Sequence, residues 1–144
     1  MAISIDNNKV SHTAWGSLDH TALRDKLMDA VKNGEGGAKK AVDEAYLYVG
    51  DDYETAPSEN LKYPHHQFEG NTLILNREGV GSAASYLVKN KDQMSSADYE
   101  KAVHHLMRHY RSMGIEPPDD LSLELTSTER DYIVFSALHD LPIE

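Results

Sequence analysis

Leu61-Lys62-Tyr63-Pro64-His65-His66-Gln67-Phe68-Glu69-Gly70-Asn71-Thr72-Leu73-Ile74-Leu75-Asn76 is the stretch on which the fold turns. Leu61, Tyr63, Phe68, Leu73 and Leu75 flank Glu69-Gly70-Asn71, a spacing that predicts a short β-hairpin with Gly70-Asn71 in its turn. Pro64 has no amide hydrogen to donate, so its strand is expected to be an edge or to end early. Directly afterwards, Asn76 stands where it can cap a helix running through Val80, Ala83, Ala84 and Leu87 to about Asn90.

Outward from the hairpin the pattern is helical. On the N-terminal side, Leu23, Leu27, Ala30 and Val31 recur at helical spacing between Asp19 and Asn33, and Gly34 stands at the closing position. After Glu35-Gly36-Gly37, the residues Ala38, Ala41, Val42, Ala45 and Val49 predict a second amphipathic helix that Gly50 stops. A glycine-rich joint this short favours an antiparallel helical hairpin. On the C-terminal side, Ser95-Ser96-Ala97-Asp98 opens the longest helix, whose apolar face is Tyr99, Ala102, Val103, Leu106, Tyr110 and Met113 and whose stop is Gly114 with Pro117-Pro118 beyond it. Thr126-Ser127-Thr128-Glu129 is a capping box for a last helix with Ile133, Val134, Ala137, Leu138 and Leu141. The expected fold is α+β and helix-dominant, with about five helices around one short hairpin. Residues 1–18 read as an extended, polar N-terminal arm and residues 19–144 as a single globular domain.

Composition narrows the function classes. A chain of 144 residues fits one domain at about 150 residues each. With 14 Lys+Arg against 24 Asp+Glu, its net charge is −10. Phosphate contacts need a basic footprint, so neither nucleic acid nor an anionic membrane surface is an expected partner. Cysteine is absent, which removes disulfides, thiolate zinc sites and cysteine nucleophiles. The first fifteen residues carry no basic segment followed by an apolar one, and the longest apolar runs are a few residues, so a soluble product of the cytoplasm is expected.

Histidine is the one chemically suggestive residue class. Five of the eight fall into two groups, His65-His66 and His104-His105…His109. His105 and His109 stand four apart, the helical spacing that lets two imidazoles reach one ion. A metal site from His65, His66, His105 and His109, in a metal-binding protein or metal-dependent enzyme, is therefore the alternative reading. The structural reading is preferred, because the glutamate of an H-E-x-x-H site is missing. Histidines flanking an apolar face commonly bond backbone carbonyls. Gly79-Val80-Gly81-Ser82 lacks the lysine and further glycines of a phosphate loop, and no Gly-x-Ser-x-Gly elbow occurs. No cofactor and no catalytic residue are expected.

Two ordered stretches resemble a known module. Lys62-Tyr63-Pro64-His65-His66, Gly70, Leu75-Asn76, Gly79-Val80, Ala83-Ala84 and Leu87 form the first; Ala102-x-His104-His105-Leu106-x-x-His109-Tyr110 with Glu116-Pro117-Pro118 forms the second. Together, over about residues 60–118 and with Ala14-Trp15 upstream, they resemble a small module of tailed-bacteriophage head-morphogenesis proteins, often near or fused to prohead proteases. No protease segment accompanies it here. The resemblance implies a non-enzymatic head structural protein, either a decoration (cement) protein or an assembly accessory. The virion, and the host cytoplasm during assembly, would be its location.

Its expected partners are the major capsid protein and further copies of this chain. Tyrosine is enriched at protein interfaces. Tyr46, Tyr48 and Tyr53, beside the second helix, are expected to belong to that interface. Ile3, Ile5 and Val10 of the arm join them, docked on a neighbour, and Trp15 is either a plug on the core or an anchor for the partner.

Overall fold

The computed structural model describes residues 2–118 and Leu121. Among these residues five α-helices and five strands occur, so the α+β, helix-dominant class holds. In chain order they are β1 (Ser4–Ser11), α1 (His20–Lys32), α2 (Ala38–Ala45), β2 (Tyr46–Val49), α3 (Pro57–Asn60), β3 (Leu61–Pro64), β4 (His66–Glu69), β5 (Thr72–Asn76), α4 (Arg77–Lys89) and α5 (Ser96–Met113). The chain divides into two compact units at Ala83/Ala84, inside α4. The helix expected over Thr126 to Leu141 lies outside the described residues.

In the first unit, β4 and β5 form the expected antiparallel hairpin, with Phe68 opposite Leu73 and His66 opposite Leu75. Gly70 takes the first of the two loop positions at φ +64°, where a tight hairpin turn demands glycine. The extended arm is replaced by a strand. β1 pairs with β5 in parallel, giving the order β1-β5-β4. Its register runs Ile5 to Leu73 and Asp6 to Ile74, then resumes at Val10 opposite Leu75, so residues 7–9 bulge out of the ladder. Asp6 Oδ1 accepts from the Asn8 amide at 3.1 Å, the local bond that turns the chain there. A polar sequence is thus compatible with a strand, because its polar residues belong to the bulge and the exposed face.

The expected first hairpin strand, Leu61 to Phe68, is cut in two. β3 ends at Pro64 and pairs antiparallel with β2 in a separate two-stranded sheet. The cut falls at His65, two residues after Tyr63, which holds φ +63° immediately before a proline. Left-handed backbone is unusual for a bulky residue. β2 likewise replaces the last turn expected of α2. Tyr46-Leu47-Tyr48-Val49 is aromatic and branched, favours extended backbone, and finds a partner in Leu61 to Pro64.

The core of this unit is formed by Leu23, Leu27, Ala30 and Val31 of α1, Ala38, Ala41, Val42 and Ala45 of α2, and Ile3, Tyr46, Leu61 and Leu73 from the strands and β1's entry. Asp19 caps α1 by accepting from the Ala22 amide at 2.9 Å. The Ile3 amide donates to Gly36 O at 2.9 Å, which fastens the N-terminal stretch to the α1–α2 joint.

The second unit carries α5. Ser95 Oγ accepts from the Asp98 amide at 3.1 Å, and Gly114 closes the helix at φ +69°. Tyr99, Ala102, Val103, Leu106, Met107, His109 and Tyr110 are its buried side chains. This is the predicted face, widened by Met107 and His109 at the expense of Met113. Among the described residues no helix is long and apolar enough to cross a membrane.

Candidate functional site

Asn76, at the end of β5, is fully buried and uses its whole amide. Its Nδ2 donates to Thr13 O at 2.9 Å and to Gln67 Oε1 at 2.8 Å, while its Oδ1 accepts from the Gly79 amide at 2.8 Å. One side chain therefore ties the segment after β1 to β4 and caps α4. The expected capping role holds, and the other two bonds extend it.

His65 and His66 occupy the joint between the two sheets. The His65 amide donates to Ala45 O at 3.2 Å, and its carbonyl accepts from the Asn76 amide at 3.1 Å. His65 Nδ1 lies 3.0 Å from Tyr63 O. A carbonyl only accepts, so Nδ1 carries the proton, and the bond braces the left-handed turn at Tyr63. His66 Nε2 lies 2.7 Å from Asn7 Oδ1, and Asn7 Nδ2 donates to Glu44 Oε1 at 2.8 Å. With the amide oxygen as acceptor, His66 Nε2 is the donor. Both histidines are buried, at 0% and 1% exposure, which makes their hydrogen bonds obligatory rather than ornamental.

Trp15 is a plug. Its ring stacks on His20 with centroids 4.2 Å apart, its amide donates to Glu78 Oε1 at 3.2 Å, and His20 Nε2 donates to its carbonyl at 3.1 Å. The ring covers Gly79 so closely that a Cβ there would stand 2.7 Å from Trp15 Cε3. Glycine at position 79 leaves room for this contact.

No protein-family model, curated protein or solved structure matches the chain.

The other residues expected at an interface fall within the first unit. Ile3 and Tyr46 are buried in its core; Ile5 and Tyr53 pack half-buried against that core. Val10 and Tyr48 are half-buried on β1 and β2. Burial pushes the Tyr46 hydroxyl up to about 12, with the Arg24 charge opposing and Asp25 reinforcing. Burial also raises Tyr110, and raises Tyr53 with help from Glu54 and Asp43.

A cavity of about 200 Å³ opens between the start of α1 and β4, lined by Leu18, Leu23, Lys26, His66 and Phe68 among others. Lys26 Nζ sits 4.3 Å over the Phe68 ring and donates to Gly70 O at 2.7 Å. Ligand pockets usually measure about 300–1,000 Å³, so this one falls below the usual range.

In the second unit, His105 Nε2 and His109 Nε2 lie 2.9 Å apart, with ring centroids at 4.7 Å. His109 is buried and His105 half-buried. His104 is exposed, 3.7 Å from Glu100 one turn earlier. The sequence separated His104 from the other two correctly. It did not reveal Asn7, Gln67 and Glu44 as partners; the turn chemistry of Asp6-Asn7-Asn8 inside a strand was the one local signal for the first of them.

Proposed function

We propose that this chain is a non-enzymatic structural protein of tailed-bacteriophage heads, a decoration or assembly accessory protein that binds the major capsid protein. The observation that carries this reading is how Trp15, Tyr63, His65, His66, Asn76 and Gly79 are used. These residues carry much of the resemblance to the head-morphogenesis module, and their bonds and contacts include ones to one another, to Asn7, Gln67, His20 and Glu78, and to backbone carbonyls. A motif spent this way marks a fold to be preserved, which suits a binding module better than a reaction centre. The charge of −10 is compatible with it, since complementary basic groups on a partner would steer association, and a capsid surface supplies many copies of one patch.

The test is to mix the purified full-length chain with empty heads assembled from the major capsid protein of a phage carrying this coding sequence, and to separate them by gel filtration. Elution with the heads is expected. Retention in purified DNA-filled heads would assign decoration, because scaffolds leave before packaging is complete. A chain that elutes alone at every salt concentration and is absent from purified heads would overturn the reading.

A further inference from the structure

We propose that His105 and His109 form a binding site for a divalent ion of the nickel, copper and zinc group, held through both Nε2 atoms with water completing its coordination. This goes beyond the head-protein reading and is independent of it, so either can fail alone.

The argument is geometric. Residues four apart on a helix lie one above the other on the same face, so two imidazoles there converge without backbone distortion. In α5 they converge through matching atoms, Nε2 to Nε2, at 2.9 Å. Two ligands at about 2.0–2.1 Å from an ion stand about 2.8–3.0 Å apart when they subtend a right angle and about 3.3–3.4 Å apart at a tetrahedral angle. The observed separation therefore fits neighbouring positions of a square-planar or octahedral ion as it stands. About half an ångström of opening, small against ordinary side-chain torsional freedom, admits zinc.

Burial supplies the second element. His109 is 1% exposed, so its ring is fixed by packing, while half-buried His105 keeps part of its surface exposed. One ligand is thus pre-positioned and the other is less confined.

The proton arithmetic closes. Without metal, two neutral imidazoles at this distance share one Nε2–H, donated by one ring to the lone pair of the other. With metal, both lone pairs point at the ion, and the proton leaves the donating Nε2 for Nδ1 of the same ring. No net proton is released, and no oxidant or reductant is involved.

The experiment uses the tag-free full-length chain, stripped with EDTA, desalted, and titrated separately with NiCl2, CuCl2 and ZnCl2 by calorimetry. Imidazole ¹⁵N resonances are followed during the zinc titration. Saturable binding of one equivalent is expected, with the Nε2 resonances of both His105 and His109 shifting. His105→Gln, which keeps a polar side chain and removes the imidazole, should weaken binding at least tenfold. His104→Ala, on the exposed side of the same helix, should leave it within twofold. Absence of saturable binding by all three ions would overturn the proposal, as would binding that a folded His105→Gln leaves unchanged. If His105→Gln does not fold, the native chain decides: zinc that leaves either Nε2 resonance unmoved is bound elsewhere.

Discussion

Gly79 sits in the first turns of α4, where replacing glycine by alanine ordinarily stabilises a helix by up to about 1 kcal/mol. Here the sign should reverse. The new methyl would stand 2.7 Å from the Trp15 ring and 3.1 Å from His65 Cα, and overpacking of this kind costs about 1–3 kcal/mol. Urea unfolding of Gly79→Ala checks the sign, and the cost should shrink when Trp15→Ala is combined with it. An alanine that stabilises the native chain would show that Trp15 yields without cost. Tyr46 gives a second prediction. Its hydroxyl is pushed up to about 12 by burial, from 10 in the unfolded chain. Between those values the unfolded chain has released a proton that the folded chain still holds, so stability is complete below pH 10 and falls as pH rises toward 12. At about 1.4 kcal/mol per pH unit, the loss is about 2–3 kcal/mol. Tyr46→Phe should remove about one proton from the alkaline slope of unfolding free energy; an unchanged slope would mean that Tyr46 ionises as freely folded as unfolded. Of these two residues neither role was legible in the sequence. Asn76 was, because a cap is a local pattern, whereas Gly79 and Tyr46 owe their roles to partners far along the chain.

Elements divide in the same way. α1, α5 and the Gly70-Asn71 hairpin follow from periodicity, caps and turn residues, all contained within a few positions. β1 does not, because its strand character comes from β5, more than sixty residues away, and its sequence is polar wherever the bulge or solvent takes the side chain. The last turn assigned to α2 failed for a related reason. Ala45 and Val49 keep helical spacing, but Tyr46 to Val49 gain more by pairing with β3. This changes what truncation should do. A free arm could be removed at little cost to the fold, whereas deleting residues 1–14 removes β1 and takes Ile3 out of the core. Gly37 offers the finer test: at φ +79° its missing Cβ leaves room for Ile3 O, which an added methyl would meet at 2.3 Å. Gly37→Ala should therefore release β1, costing more than about 1 kcal/mol from the left-handed backbone alone and raising hydrogen exchange across β1 and β5. Unchanged exchange in both strands would return the N-terminal stretch to the status of an arm.

For the molecule as a whole, the decisive quantity is charge, and composition alone reveals it. Twenty-four acidic residues face 14 basic ones. The described ion pairs Lys9–Glu69 and Arg24–Asp25, the second with Arg24 half-buried, lie at the surface, a class worth at most about 1 kcal/mol each. Long-range repulsion among like charges should then outweigh local attraction, and repulsion across the surface is screened once the Debye length falls from about 30 Å at 0.01 M salt to about 3 Å at 1 M. Folding and the proposed capsid binding should consequently respond to salt in opposite directions. Screening relieves self-repulsion, so the melting temperature should rise by about 2–4 °C for each kcal/mol recovered in a chain of this size. Screening also weakens steering toward basic groups on a partner, so association with heads should slow over the same range. Calorimetry of the chain and stopped-flow mixing with empty heads, both from 0.01 M to 0.5 M NaCl, measure the two responses. A melting temperature that falls with salt would mean that specific ion pairs dominate the surface. An association rate indifferent to salt would mean that the capsid is recognised through apolar contacts, and that the acidity serves solubility alone.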